Sequence, residues 1–138
     1  MTNSVTCQFR ANNWAEQSFA AHFEAAQLAQ ASISNVFSGA IEGHGVLQYL
    51  LVYPLRADGA VAFVGIERIV ARMADASGSF VVRHDGWFSP SEGVSGDLQI
   101  IPACGSGDFL GLAGRGRIMA KAGEHSGEYR FAFLPAAH

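Results

Sequence analysis

The sequence predicts an all-β protein: an eight-stranded antiparallel up-and-down β-barrel forming a single domain over residues 1–138. Three observations lead there. None of the 16 glycines falls in the first 38 residues, and all then recur every few positions, a spacing that punctuates many short elements. Between the glycines apolar residues alternate with period two. Turn-forming clusters stand where the alternating runs stop: Arg56-Ala-Asp-Gly59, Ala74-Asp-Ala-Ser-Gly78, Ser89-Pro-Ser-Glu-Gly93 and Ala122-Gly-Glu-His125. Eight strands with one apolar face would leave long unpaired edges as a flat sheet, so closure into a barrel follows, with a two-sheet sandwich as the alternative.

The first strand is expected at Val5–Ala11 and the second at about Leu28–Ser38. Between them, Trp14 to Ala31 is rich in Ala, Glu and Gln and spaces Phe19, Phe23 and Ala26 as one helix face, which predicts a short helix or turn near residues 15–26. Alternation then marks strands at Glu42–Tyr53, Ala60–Met73, Phe80–Phe88, Gly93–Ile101, Gly114–Lys121 and Gly127–Leu134. In Ala60–Met73 the face with Arg68 and Arg72 should be outermost, which points Glu67 inward between Gly65 and Ile69. His84 shares the Phe80/Val82/Phe88 face of the next strand, and a hairpin turning near Asp75 and Ala76 would set positions 67 and 84 opposite each other. A one-residue slip would separate them.

The stretch Gly105-Ser-Gly-Asp-Phe-Leu-Gly-Leu-Ala-Gly-Arg-Gly116 invites a phosphate-loop interpretation. No window of it fits G-x-G-x-x-G, and no Gly-Lys-Ser/Thr follows, so it is expected to be a tight loop with Phe109 and Leu112 tucked into a barrel end.

Composition narrows the function classes. Nine Lys and Arg against twelve Asp and Glu, with Lys121 the single lysine, exclude the electrostatic footprint of a nucleic-acid binder. A charged fraction of 15% beside 49% hydrophobic residues points to oligomer contacts or an internal apolar pocket. The N-terminal residues lack the pattern of a secretion signal and no apolar run reaches the roughly 18 residues that cross a bilayer, so a cytoplasmic protein with no membrane partner is expected. Cys7 and Cys104 have no metal-type spacing and are expected to be reduced, buried thiols. His22, His44, His125 and His138 form no ligand set, and no metal or other cofactor is expected.

Four stretches, Val64-Gly-Ile-Glu-Arg68, Gly78-Ser-Phe-Val-Val-Arg-His-Asp-Gly86, Gly105 to Gly116 and Gly127-Glu-Tyr-Arg-Phe131, resemble a family of small bacterial proteins of unknown function that are allene oxide cyclase-like in fold. The resemblance runs from about Phe9 to Phe133. Gly105-Ser-Gly-Asp-Phe109 is also similar to the Gly-Thr-Gly-x-Phe signature of plant allene oxide cyclases and dirigent proteins. This resemblance implies an eight-stranded barrel with an apolar lumen, assembled as dimers or trimers; it implies no settled reaction, and no catalytic residue carries over. The Ala-rich segment from Ala15 to Ala31 departs from the family pattern.

Together these features predict a barrel that takes a small hydrophobic molecule and isomerises or cyclises it without a cofactor. Glu67 and His84 are the candidate acid/base pair, and the Tyr49 hydroxyl is placed to polarise a ligand oxygen. Phe63, Gly65, Phe80, Val82, Gly86 and Phe88 are the candidate ligand-binding face, with Gly65 and Gly86 leaving space in the lumen. Two alternatives stand beside it. Glu67 and His84 can simply satisfy each other inside the barrel, and a barrel filled by its own side chains would be a non-enzymatic interaction module.

Overall fold

The structure, a computed structural model, describes residues 3–134. Its strands are β1 (Asn3–Phe19), β2 (Gln27–Gly39), β3 (Glu42–Tyr53), β4 (Val61–Met73), β5 (Ala76–Ser89), β6 (Gly93–Ile100), β7 (Ser106–Gly107), β8 (Gly114–Ala120) and β9 (Ser126–Phe133). No helix occurs among the described residues. Eight strands follow one another round a closed antiparallel barrel, because β1 pairs with β9 and β8 pairs with β6 to complete the circuit. The short β7 lies beside the start of β5, with Gly107 against Gly78 and Ser106 against Ser79.

Of the short helix or turn expected near residues 15–26, only a turn forms, where the Ala25 N–H bonds the His22 carbonyl at 3.3 Å. Ala15 to Phe19 instead extend β1 and pair with Leu28 to Ser32 of β2. A helix there would have had no apolar face to pack against, since Phe23 is 85% exposed, whereas β2 already offers a ladder. Ala20 and Glu24 hold positive φ, which also breaks any helical run. The register shifts between Asn12 and Ala15, with Asn13 at φ 55°, so Trp14 sits on a bulge. Past Ala11, whose N–H bonds the His125 carbonyl at 2.7 Å, β1 has left β9 and lies along β2.

The β4–β5 hairpin turns one residue earlier than expected, with Ala74 and Asp75 as its two loop residues. Its first loop residue carries the positive φ, 53° at Ala74. Moving a turn by one residue moves each partner by two, so Gly65 faces His84 and Glu67 faces Val82. Parity is preserved, and both side chains remain on the inner face.

Glycines on the inner face act as sockets. Tyr49 is paired with Gly65, Phe63 with Gly86, Phe131 with Gly116 and Phe9 with Gly127. A methyl group at Gly86, Gly116 or Gly127 would lie 2.8–2.9 Å from its partner's ring, and one at Gly65 would overlap the Tyr49 ring. The space expected at Gly65 and Gly86 is therefore occupied by their neighbours' aromatic side chains. At one end of the lumen Phe80 packs edge-on against Phe109 and Phe131, so the Gly105–Gly116 loop closes the barrel as its sequence suggested. Asp108 fixes that loop by accepting the Ser77 backbone N–H at 2.9 Å.

Cys7 is buried as expected; Cys104 is not, because it lies in the exposed link between β6 and β7 rather than on an inward strand position.

Candidate functional site

Alternation along β2, β3, β4, β5 and β9 sends one polar residue from each strand inward: Asn35, Tyr49, Glu67, His84 and Tyr129. Glu67 and His84 are diagonal neighbours across the β4–β5 ladder, and Nε2 of His84 lies 2.9 Å from Oε1 of Glu67. The Tyr129 hydroxyl donates to the same oxygen at 2.8 Å, and Nδ2 of Asn35 donates to Oε2 at 2.8 Å and to the Tyr129 oxygen at 3.2 Å. The other imidazole nitrogen, Nδ1, is 3.0 Å from the Tyr49 hydroxyl. Gly45 makes this packing possible, since a methyl group there would overlap the Glu67 carboxylate.

The carboxylate fixes the imidazole. An acceptor at Nε2 requires that nitrogen to carry a proton, which in the neutral ring leaves Nδ1 to accept from Tyr49. The line Glu67, His84, Tyr49 thus has the order of a relay: carboxylate, oriented imidazole, hydroxyl. Burial, helped by the Glu67 charge, pushes the Tyr49 hydroxyl well above the ordinary tyrosine range. Burial and then the same charge do so for Tyr129. Both remain protonated hydroxyls at neutral pH, so Tyr49 can act as a base only by passing its own proton to His84 as it takes another.

Glu67 and His84 are completely buried. Tyr49, Tyr129 and Asn35 line a cavity of about 90 Å³. Phe9, Phe63 and Phe88 supply apolar walls, and Trp14, Glu124 and His125 stand among the lining residues from the β1 bulge and the β8–β9 turn. The Trp14 and Tyr49 ring centroids are 6.3 Å apart, and those of Tyr49 and Phe63 are 4.8 Å apart. The relay therefore meets the cavity only at its tyrosine end. Among the described residues no group of three or more His, Cys, Asp or Glu side chains has metal-binding geometry.

Of the six residues expected to form the ligand face, Phe63 and Phe88 line this cavity. Phe80 and Val82 are buried toward the Phe109 end, Gly86 lies against Phe63, and Gly65 lies beneath the Tyr49 ring. Glu67, His84 and Tyr49 come together as one chain of contacts. Sequence reasoning missed Asn35 and Tyr129, although each stands at an inward position of an alternating strand, Asn35 between Ile33 and Phe37 and Tyr129 between Gly127 and Phe131. A tally of inward polar residues over all strands would have found both. Arg115 and Arg117 are exposed on β8, and Arg117 pairs with Asp97 on the barrel exterior.

A closed eight-stranded barrel with a buried carboxylate–imidazole–tyrosine chain at the edge of a small aromatic cavity defines the class of molecule. The chain belongs to the family described as protein of unknown function (DUF3224), whose model matches residues 5–133. A crystal structure of a DUF3224 family protein of unknown function from Shewanella oneidensis MR-1 is similar over 100% of both chains, with a TM-score of 0.84 and 22% identity. That likeness supports the fold. No curated protein matches the sequence. No helix among the described residues is long and apolar enough to cross a membrane.

Proposed function

We propose that the cavity binds a small, largely apolar molecule and that Tyr49, backed by His84 and Glu67, shifts a proton within it, as an isomerisation or cyclisation requires. One observation carries this reading: Tyr49 is at once part of the cavity wall and 3.0 Å from an imidazole that a buried carboxylate orients. In the step, a ligand proton passes to the Tyr49 oxygen while the Tyr49 proton passes to Nδ1 of His84, and Glu67 stabilises the imidazolium so formed. The reverse transfer returns a proton at another ligand atom. Atoms and charge balance without an oxidant or cofactor.

The test is native mass spectrometry of the protein purified from its host, to identify a co-purifying small molecule, followed by turnover of that molecule. Tyr49→Phe and His84→Ala should abolish turnover while the molecule still binds. Unchanged turnover in Tyr49→Phe, Glu67→Gln and His84→Ala would refute the relay.

A second reading, self-association, rests on the outer face of β3, β4 and β5. Val46, Leu50, Val64, Ile66 and Trp87 there are 46–59% exposed, beside Arg83 and Asp85, whose opposite charges suit a contact between copies. Light scattering should give a dimer or trimer that Ile66→Glu dissociates; a monomer at all concentrations would exclude it.

A further inference from the structure

We infer that the molecule held in this cavity is a small organic amine, bound as its ammonium ion, rather than a carboxylic acid or a plain hydrocarbon. The inference rests on the cavity being a ligand site and adds the chemistry of the ligand's polar group.

Hydrogen-bond accounting comes first. Asn35 is 2% exposed and lines the cavity, and its Nδ2 is engaged by Glu67 and Tyr129. Its Oδ1 is buried with no hydrogen-bond partner among the described residues. The Tyr129 proton is engaged by Glu67. The Asn35 oxygen is thus an acceptor that the walls leave over, and with a neutral imidazole the lone pairs of Tyr49 join it; the donor left on the lining is then the His125 ring N–H in the β8–β9 turn. An unpaired buried acceptor is destabilising, and a ligand N–H brought against it removes that penalty.

Charge points the same way. No lysine or arginine lines the cavity; Glu67 lies behind its wall and Glu124 forms part of its lining. An anionic ligand would meet these carboxylates with only the His125 imidazole of the β8–β9 turn to offset them. The remaining surface is a set of aromatic faces, Trp14, Tyr49 and Phe63 in succession, which attract a cation through their ring quadrupoles. At about 90 Å³ the cavity is smaller than the ~150 Å³ cavity that encloses benzene. It therefore encloses the amino end of the ligand, with the apolar remainder against Trp14.

The chain contains two tryptophans, and Trp87 lies on the exterior, 59% exposed. Trp87→Phe therefore leaves Trp14 as a reporter within the cavity wall. Fluorescence titrations of this variant with benzylamine, benzyl alcohol, toluene and benzoate at neutral pH test the inference. Benzylamine should bind about tenfold or more tighter than toluene, the effect of one charge-assisted hydrogen bond. Benzyl alcohol should fall between them and benzoate should not bind. Toluene equal to benzylamine, or benzoate the tightest, would overturn the amine assignment while leaving the cavity a ligand site. No response to any of the four would refute the ligand site itself, and the amine with it. Adding Asn35→Leu should erase the benzylamine preference while toluene still binds; if that variant does not fold, the four-probe ranking decides.

Discussion

At the scale of single residues, the inner surface is divided between groups that share protons and groups that keep them. Cys7 belongs to the second kind: burial pushes its thiol from the ordinary 9.0 up to about 12. Below pH 9 it is protonated in both the folded and the unfolded chain, and its contribution to stability is complete. As pH rises from 9 toward 12 the unfolded chain releases the proton first, so stability falls. Urea midpoints measured from pH 7 to 10.5 should therefore decline more steeply for the natural protein than for Cys7→Ala. Parallel slopes would refute the assignment. The inward direction of Glu67, His84 and Tyr49 was legible because parity along a strand needs only alternation. The partners of Glu67 were not, because Asn35 and Tyr129 lie 32 and 62 residues away from it, and only the closed circuit brings β2 and β9 to β4.

At the scale of elements, pairing decides more than propensity. The Ala-rich stretch near residues 15–26 has helical composition, yet β2 presents it with a ladder and no core awaits a helix face. Strand boundaries from Glu42–Tyr53 to the final strand follow the alternation to within a residue, except that β5 starts at Ala76 rather than Phe80, inside the expected turn cluster. The exact hairpin register was hidden: Ala74 accepts a positive φ that its sequence does not advertise. Glycine's part in the strands was also hidden, because its role is visible only from the aromatic opposite it. Gly65→Ala would drive a methyl group into the Tyr49 ring and against the Gln48 backbone carbonyl. It should destabilise the protein by about 1–3 kcal/mol, as overpacking does, and shift the hydroxyl away from His84. Chemical denaturation measures the first effect. The additional change Tyr49→Leu should recover the ring's part of the lost stability; no recovery would mean that the Gln48 carbonyl, and not the ring, is the obstacle.

At the scale of the whole molecule, the polar chain crosses the lumen and divides it. On one side lies the packed Phe80, Phe109, Phe131 and Phe133 end; on the other, the small cavity between Trp14 and Tyr49. Neither a filled barrel nor an open cup describes it. Closure of the circuit has one more consequence. Asn3 is laddered to Phe133, so the strands form a ring whose seam between β1 and β9 is hydrogen-bonded like any other junction. The order in which strands are threaded is thus separable from the barrel they build. A circularly permuted gene, opened at the exposed Asp58–Gly59 turn and bridged from residue 134 to residue 3, would encode the same wall and the same five inward polar groups.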